Sequence, residues 1–514
     1  MMKRIGIVCF IILILQGLVI AQDSLRSVRM ISTGEKCEAF SVVEMDANLL
    51  FVFCGSGYVA VDSTGFPLYY NRYLSTGYEN GKIYKAMNGD VLMLVNTDGI
   101  GPGSGDVMLF RMHADGSIRW IRVYGTPQAE SAAGLVEMVN GDLLIAMTAA
   151  GFAGTGTAMV LAAVDSVGNQ LWQRAYWTDE GDAIATSISK GSGERIYLSG
   201  LAPQGGILLK TSAEGQLIFS RAFADCVLSD VTVSEKNGHV FSCGYRKVAS
   251  DTMAFMAETD SLGVLQQHYS MGIMGVGMDY SFISIDSSRD LVNMGGRIYR
   301  GGAAKWNPVL AQFSSDSGTM TVCEHEGSGD QTYNDFCLAG DDHYMWVGRT
   351  DPFDTIHRVS VMTNVTSSQL QAECHVYPLS CVFLTDVIVI TDPGLATDTG
   401  NLDVVTYCFP PAAGNITYLN MCHPAGQKEH TEVQSLSVFP NPSEGAFTIV
   451  LPEALNRTFH VIIYNIIGDI IYRESVVADG RMKAEIDAGL SEGFYHVKVT
   501  DGSAEFVAPL IIVQ

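Results

Sequence analysis

The sequence predicts an all-β protein: a seven-bladed β-propeller with about 50 residues per blade, followed by a small Ig-like β-sandwich. Three observations predict it, namely two turn motifs that recur through the chain and a composition rich in glycine but poor in charge. Charged residues make up 17% of the chain, and 53 of its 514 residues are Gly. Such a composition is typical of turn-rich β structure rather than of helical proteins.

The first recurring motif is a tight turn followed by apolar residues. It reads Asn88-Gly89-Asp90 and, 52 residues later, Asn140-Gly141-Asp142. Because Asn and Gly tolerate the positive φ that a two-residue turn requires, each copy predicts a β-hairpin. Looser copies begin at Gly193, Asn237, Ser288 and Asp341, and an early one begins at Asp46.

The second recurring motif is a glycine-containing turn that follows each copy of the first. Its glycines are Gly65, Gly116, Gly168, Gly215, Gly263 and Gly318, spaced by 51, 52, 47, 48 and 55 residues, with a degraded seventh copy at Asn364–Ser368. Each unit therefore holds two hairpins, which is the content of one propeller blade. Seven units over residues 27–377 predict a ring, because a ring lets each sheet pack on its neighbours and protects the sheet edges. A linear β-solenoid is the alternative, although its repeats are usually shorter.

An aromatic residue often stands four places after the glycine of this second turn, as Trp120, Trp172 and Phe219 show. The unit resembles the Asp-x-x-Gly-x-x-x-Trp repeats of secreted bacterial propellers, including quinoprotein-like ones. This resemblance implies the fold and carries little information about function.

The N-terminal residues predict a signal peptide over residues 1–21. Lys3 and Arg4 form a positive start, Ile5–Leu15 is an apolar run too short to span a bilayer, and cleavage is expected after Ala21. An uncleaved membrane anchor is the alternative. No later stretch reaches eighteen apolar residues, so the mature chain is predicted to have no transmembrane segment.

The chain is strongly acidic, with 55 Asp and Glu against 31 Lys and Arg and a formal charge of −24. Loss of Lys3 and Arg4 with the signal peptide makes the mature chain more acidic still. A chain of this charge repels phosphate backbones, so we expect no nucleic-acid partner. It suits an extracellular surface that meets divalent cations.

The C-terminal residues 434–514 predict a small sandwich of short alternating strands separated by turns. Four motifs occur in order: Pro-Asn-Pro, Gly-x-Phe-x-Ile, a Val-x-Ile-Tyr-Asn strand followed by Gly, and Gly-x-Tyr-x-Val. Their residues are Pro440, Asn441, Pro442, Gly445, Phe447, Tyr464, Gly468, Gly493 and Tyr495.

This stretch resembles the C-terminal sorting domain of type IX secretion substrates of the Bacteroidota. The resemblance implies the type IX translocon and sorting machinery as partners, and a secreted or outer-membrane-attached location on a Gram-negative bacterium. It also implies removal of the domain, followed by surface attachment or release. The chain departs from the family at its end, where Pro509–Gln514 lacks the usual basic residue. An Ig-like adhesive module is the alternative interpretation.

The cysteines predict disulfides rather than metal thiolates. Cys9 leaves with the signal peptide, ten cysteines remain in an exported chain, and no Cys-x-x-Cys pair occurs. Cys37 with Cys54 and Cys226 with Cys243 share a spacing of 17 residues across predicted hairpins, which makes them the candidate bridges. Residues 378–433 are interpreted only as a linker or extra strands.

A carboxylate recurs before the first turn of several units, and these residues are candidates for an acidic rim: Glu38, Glu130, Asp182, Asp279 and Asp335. They favour either a site for a cation or cationic ligand, or carboxylates that cap backbone N–H groups. Calcium is the one cofactor that this pattern admits.

The sequence offers no catalytic residues, because metalloprotease, nucleophile-elbow and phosphate-loop motifs are all lacking. No metal-ligand motif is recognised either. We therefore expect an exported, non-catalytic propeller that binds an unknown extracellular ligand. A secreted propeller enzyme, either a hydrolase or quinoprotein-like, is the alternative, and a structural spacer at the cell surface is a third hypothesis.

Overall fold

The computed structural model describes residues 27–32, most of 39–366, seven short strands between 376 and 420, and most of 436–512. The longer gaps inside these ranges are 74–80, 301–305, 326–330, 351–358, 451–457 and 478–482. The predicted signal peptide and residues 421–435 lie outside the described residues.

The described residues form seven five-stranded sheets, followed by a three-stranded and a four-stranded sheet. A turn of 3-10 helix, Ser192–Glu194, precedes β15. The strands of the seven sheets, apart from the fifth strand of each, are β1 Ser27–Ser32, β2 Ser41–Asp46, β3 Leu49–Phe53, β4 Gly57–Val61, β5 Pro67–Arg72, β6 Gly81–Lys85, β7 Val91–Asp98, β8 Gly105–Met112, β9 Ile118–Gly125, β10 Glu130–Glu137, β11 Leu143–Ala150, β12 Thr157–Val164, β13 Gln170–Trp177, β14 Ile184–Gly191, β15 Arg195–Ala202, β16 Gly205–Thr211, β17 Leu217–Phe223, β18 Cys226–Val233, β19 Val240–Val248, β20 Asp251–Thr259, β21 Leu265–Gly272, β22 Met278–Asp286, β23 Leu291–Tyr299, β24 Trp306–Ser314, β25 Thr319–His325, β26 Gln331–Ala339, β27 His343–Thr350 and β28 Val359–Thr366.

Each of the first six sheets takes four consecutive antiparallel strands, β2–β5 in the first and β22–β25 in the sixth. The two recurring motifs form the turns between these strands, and Gly89 and Gly168 adopt positive φ values of 84° and 86°. Glycine is favoured there because a Cβ atom penalises this conformation. The repeat therefore corresponds to one four-stranded sheet.

The seventh sheet closes the arrangement with the N-terminal strand. β26, β27 and β28 pair in order, and β1 then pairs with β28 in the register Ser27↔Asn364. The seventh sheet also reaches the first, since the Ala39 N–H donates to the carbonyl of Gly348 at 3.3 Å. This is a propeller-like arrangement in which the two ends of the repeat region meet.

The cores lie between neighbouring sheets rather than within one sheet. Phe51 of the first sheet and Phe110 of the second are fully buried in one cluster, and Leu109 of the second shares the next cluster with Ile145 of the third. Strands β3, β7 and β11 are therefore buried on both faces. Burying both faces of each sheet requires a neighbour on each side.

Residues 376–420, which we call the belt, add a fifth strand to every one of the seven sheets. The belt visits the sixth, fifth, fourth, third, second and first sheets in that order, and then the seventh, where it pairs with β1. Its strands are β29 Val376–Pro378, β30 Val382–Leu384, β31 Ile390–Thr391, β32 Ala396–Asp398, β33 Asp403–Tyr407, β34 Ala412–Ala413 and β35 Thr417–Asn420. The segment that the sequence left unassigned thus runs around the outside of the sheets, against chain order.

The C-terminal residues form two antiparallel sheets around one core, in which Phe447, Ile463 and Val497 are buried. The sheet orders are β36-β37-β40 and β39-β38-β41-β42. Their strands are β36 Ser437–Phe439, β37 Ala446–Val450, β38 Thr458–Asn465, β39 Ile470–Val477, β40 Lys483–Asp487, β41 Gly493–Thr500 and β42 Glu505–Ile512. Within the described residues, no helix is long and apolar enough to cross a membrane.

Candidate functional site

The first strand of each sheet is its innermost strand, because the belt pairs with the opposite edge. Consecutive inner strands contact one another, β6 and β10 through the hydroxyl of Tyr84, and β26 of the seventh sheet contacts β2 of the first. Along these strands buried residues alternate with half-exposed ones, and the half-exposed residues include Lys82, Tyr84, Asp230, Thr232 and Asp335. The alternation follows from the two-residue period of a strand, with one side facing the space that the inner strands surround.

Lys82 of β6 lies among carboxylates in this central space. Its ammonium group interacts electrostatically with Asp230 of the fifth sheet and Asp335 of the seventh. The second and fifth sheets are not neighbours, so these charges act on one another across the central space. Burial opposes the positive charge of Lys82, but Tyr84 and the two carboxylates outweigh it, and the pKa of Lys82 is raised.

Asp230 and Asp335 join neighbouring sheets in the same manner. Oδ1 of each accepts the N–H of its own following residue at 2.9 Å. Oδ2 of Asp335 accepts the Ser41 hydroxyl at 2.7 Å and the Val42 N–H at 3.1 Å, while Oδ2 of Asp230 accepts the Ile283 N–H at 2.9 Å. Each carboxylate therefore binds the inner strand of the next sheet, and Asp335 binds the last sheet to the first.

Burial shifts the acid–base properties of the groups around Lys82. It raises the pKa of Asp335 to about 6, outweighing the hydrogen bonds to that carboxylate. It also raises the pKa of Tyr84 to about 12 and the pKa values of the Cys243 and Cys337 thiols well above their usual range. At neutral pH the phenol and both thiols are protonated, whereas Asp335 titrates just below neutrality.

Two of the predicted rim acids are bound to loops at the start of an inner strand. Glu130 is buried and accepts the Thr126 N–H at 2.8 Å and the Thr126 hydroxyl at 2.6 Å. Asp182 is exposed and accepts the Thr157 N–H at 2.8 Å. Both act here as acceptors for nearby backbone donors, which is the structural alternative that the sequence left open.

The other predicted acids have different surroundings. Asp279 forms an ion pair with Arg297, with 3.0 Å between Oδ2 and Nε, and burial raises the pKa of Asp279 despite that partner. Glu38 lies outside the described residues. Of the four acids described, only Asp335 joins the group around Lys82, so the four do not occupy equivalent positions. A cation-attracting role for them stays a prediction.

Sequence reasoning missed Lys82 and Asp230, which complete the group in the central space. Both share a repeat position with Ser41 and Asp335, immediately before a buried apolar residue of the inner strand. Aligning the repeats on that apolar residue, Ile83 in the case of Lys82, would have found them. Aligning on the turns failed because the number of residues between turn and inner strand varies.

The predicted Cys226–Cys243 bridge is not formed. Cys226 pairs with Arg246 and Cys243 with Asp230, so the two cysteines lie three residue pairs apart along the ladder of β18 and β19. At ~3.4 Å per residue this is ~10 Å, beyond the reach of a disulfide. Cys243 is buried as a free thiol. The Cys37–Cys54 prediction is untested, because Cys37 lies outside the described residues.

The repeat aromatic residue packs on the second turn of the next sheet. Trp120 Nε1 donates to the carbonyl of Ser166 at 3.0 Å. Trp172 packs on Gly215, where a Cβ atom would lie 2.7 Å from the indole ring. These contacts join the outer parts of neighbouring sheets and explain why an aromatic residue and a glycine recur together.

In the first sheet the equivalent residue, Tyr69, contacts the C-terminal domain instead. Its ring stacks on His496 of β41 with 4.5 Å between centroids and an interplanar angle of 9°. Lys498 Nζ lies 4.1 Å from the ring centroid of Phe66. The imidazole of His496 is buried, and this burial lowers its pKa to about 3. The C-terminal domain therefore packs on the outer face of the first sheet.

The sorting-motif residues support the core and turns of that domain. Phe447 and Tyr495 are buried, and the Tyr495 hydroxyl donates to the carbonyl of Ser491 at 2.9 Å. Tyr464 lies on β38, Gly493 begins β41, and Pro440 and Asn441 follow β36. Pro442, Gly445 and Gly468 lie outside the described residues.

Comparison with known families identifies the C-terminal domain. Residues 437–513 match the secretion system C-terminal sorting domain. This match confirms the resemblance found in the sequence and marks the protein as secreted or cell-surface cargo of a Bacteroidota-type Gram-negative bacterium. None of the curated proteins compared with the chain matches it.

Solved structures with similar folds share little sequence with the chain. A protein of unknown function from Dyadobacter fermentans DSM 18053 has 13% identity, a TM-score of 0.37 and coverage of 56% of this chain and 96% of its own. Drosophila Plexin A in complex with Semaphorin 1b has 8% identity, a TM-score of 0.38 and coverage of 66% and 87%. The C-terminal WD40 domain of Sif2 has 8% identity, a TM-score of 0.24 and coverage of 64% and 96%. Scores this low say nothing about function.

Proposed function

We propose that the protein is a non-catalytic, seven-bladed β-propeller, exported with an Ig-like sorting domain, that binds an extracellular ligand in its central space. Seven sheets in chain order, with the first strand completing the last sheet, support the blade number. Two sheets around one core support an Ig-like sandwich. The group of Lys82, Asp230 and Asp335 carries the functional part of the proposal.

The charges in the central space favour a ligand with a basic group. Two carboxylates face one ammonium group, so one negative charge remains for a ligand to neutralise. Such a ligand would bind the partly buried Asp230 and Asp335 through its own amine or guanidinium. The acidity of the whole chain, at −24, attracts the same class of ligand.

The protonation states around Lys82 favour binding over catalysis. Nucleophilic catalysis requires a deprotonated or base-activated group, and the raised pKa values of Cys243, Cys337 and Tyr84 keep these groups protonated. The pKa of Asp335 near 6 is the observation that favours the second candidate, a hydrolase with this carboxylate as general base. The hydrogen bonds that Asp335 accepts on both oxygens oppose that role.

Fluorescence anisotropy with a labelled tetra-lysine peptide tests the binding site. We expect the Asp230→Asn/Asp335→Asn double variant to bind at least about tenfold more weakly than the wild type, because each charge-assisted contact contributes more than 1 kcal/mol. Asp142→Asn, which removes a turn carboxylate of equal charge, should leave the affinity within about twofold. Equal affinity of the double variant and this control would reject the site. Turnover of glycan or ester substrates that is lost in Asp335→Asn would favour the hydrolase.

A further inference from the structure

A second group of carboxylates lies outside the central space, at the glycine-rich end of the second sheet. Asp106 is fully buried at the start of β8. Its Oδ2 accepts the Gly103 N–H at 3.2 Å, but its Oδ1 is buried and has no hydrogen-bond partner among the residues that the structure describes. A buried oxygen without a donor is rare in folded proteins and is costly when it carries charge.

The unpartnered oxygen of Asp106 faces a second buried carboxylate. A Cβ atom on Gly125 would lie 1.6 Å from Asp106 Oδ1 and 3.1 Å from Glu130 Oε2, so these two oxygens are at most 4.7 Å apart, the sum of both distances. Glu130 comes from the start of β10 in the next sheet. Glycine at position 125 is what allows the strand to pass beside both side chains.

The two carboxylates have no compensating positive charge among the described residues. No cationic side chain contributes to the electrostatics of Asp106 or Glu130 there. Burial raises the pKa of Asp106, and burial followed by the neighbouring Asp106 raises the pKa of Glu130, despite the hydrogen bonds from Thr126. Two like charges this close and this buried require a positive partner.

We propose that Asp106 and Glu130 bind one calcium ion, which joins the second sheet to the entry of the third. Calcium takes oxygen ligands at about 2.4 Å, so two oxygens on one ion lie up to about 4.8 Å apart, as the separation of at most 4.7 Å allows. The proposal is independent of the ligand proposed for the central space.

Two backbone carbonyl oxygens lie beside Gly103, whose N–H donates to Asp106. The carbonyl oxygens of Gln128 and Thr126 lie 1.9 Å and 2.5 Å from where a Cβ atom of Gly103 would stand. Carboxylate and carbonyl oxygens are the ligands that calcium prefers. An exported protein meets calcium at concentrations that saturate sites with Kd values near 10⁻⁴ M, roughly the range of extracellular modules.

Calorimetric titration of the full mature chain with CaCl₂, together with thermal unfolding in EDTA and in calcium, tests the site. We expect one ion per chain and a rise of the unfolding midpoint of about 5 °C at saturating calcium. Asp106→Asn and Glu130→Gln should each weaken calcium binding at least about tenfold, because each removes one of two charged ligands. Asp182→Asn is the matched control, since Asp182 is an exposed acid at the start of the following sheet, and it should retain the full response.

Two outcomes of these measurements would overturn the calcium site. A wild-type midpoint and heat signal that do not respond to calcium would mean that the two carboxylates share a proton instead. An unchanged response in both Asp106→Asn and Glu130→Gln would place any calcium site elsewhere. Both variants remove charge from a buried pair, so their midpoints in EDTA should equal or exceed that of the wild type, which verifies folding.

Discussion

The fourth strands of the first, third and fourth sheets, β5, β13 and β17, differ in how exposed the residue at one equivalent position is. Leu68, Leu171 and Ile218 each lie at the bulge of the outer strand, directly before the repeat aromatic residue. Leu171 and Ile218 are 51% and 48% exposed, whereas Leu68 is only 6% exposed. Leu68 packs in the core shared by the first and second sheets. The sorting domain packs on the first sheet through Tyr69 and Phe66, which lie beside Leu68 in the chain.

The difference shows that one repeat position serves two purposes. In the second, third and fourth sheets the bulge residue is exposed, and the aromatic residue beside it covers a turn of the next sheet. In the first sheet the bulge residue is buried, and the aromatic residue contacts a separate domain. An apolar residue at this position is therefore no indication of an interface until its neighbours in space are known.

Deleting residues 437–514 should change both the location of the protein and the exposure of β5, the largest effect expected here. The truncated protein should accumulate in the periplasm, because the sorting domain is lost. In the purified truncated protein, Tyr69 should become about as exposed as Trp172. Hydrogen exchange by mass spectrometry should then show faster exchange across β5, with β13 as the internal control. Surface display of the truncated chain, or unchanged exchange in β5, would contradict the assignment.

Replacing the bulge residue by alanine in the full chain compares its buried environment in the first sheet with its exposed environment in the third. Leu68→Ala should lower the free energy of unfolding by about 2–3 kcal/mol, because a buried leucine loses its contacts and leaves a cavity. Leu171→Ala, at the equivalent exposed position, should cost less than about 0.5 kcal/mol. Denaturant unfolding of both variants measures the contrast, and equal costs would mean that Leu68 is not buried in solution.

Acidic pH should weaken the contact between the sorting domain and the first sheet. The pKa of His496 is about 3 in the buried contact and would return toward the ordinary 6.5 on release, so the released state binds protons more readily. The contact is therefore fully stable above pH 6.5 and loses about 2 kcal/mol by pH 5. Small-angle X-ray scattering should show a larger radius of gyration at pH 5 than at pH 7.5.

Two variants make the pH prediction specific. His496→Phe keeps the stacking on Tyr69 but removes the titrating group, so its radius of gyration should not change between pH 7.5 and pH 5. His460→Phe should behave as the wild type, since His460 is exposed on the same domain and contacts Ser475. A pH response that persists in His496→Phe would assign the effect to another group.

The all-β, propeller-like fold and the sorting domain could be predicted because their signals are local. Asn88-Gly89 and Gly168 indicate turns through their own backbone preferences, and the repeat spacing follows from them. The belt could not be predicted, since strands as short as Ile390–Thr391 carry no two-residue period. Their partners, such as Phe223, lie more than a hundred residues away in the chain.

The candidate site was only partly predictable for a related reason. Asp335 was found because carboxylates recur at similar positions of the repeats. Lys82 has no lysine counterpart in the other repeats, and its role depends on the charges opposite it in the central space. The Cys226–Cys243 bridge failed because equal sequence spacing does not fix strand register. A search for repeats thus overlooks functional residues that occur in one repeat only.

The belt also determines how the protein would respond to mechanical load applied at its C-terminal end. Its seven strands have two to five residues each and attach one to each sheet. Once the sorting domain has left the first sheet, a pull from that end would detach β35 first and β29 last, in seven small steps, before tension reached the strands that hold the ring together. Residues 376–420 would release roughly 150 Å of extended chain in this way. For a protein held at a cell surface in moving fluid, the belt would act as an extensible tether that yields while the ring stays folded.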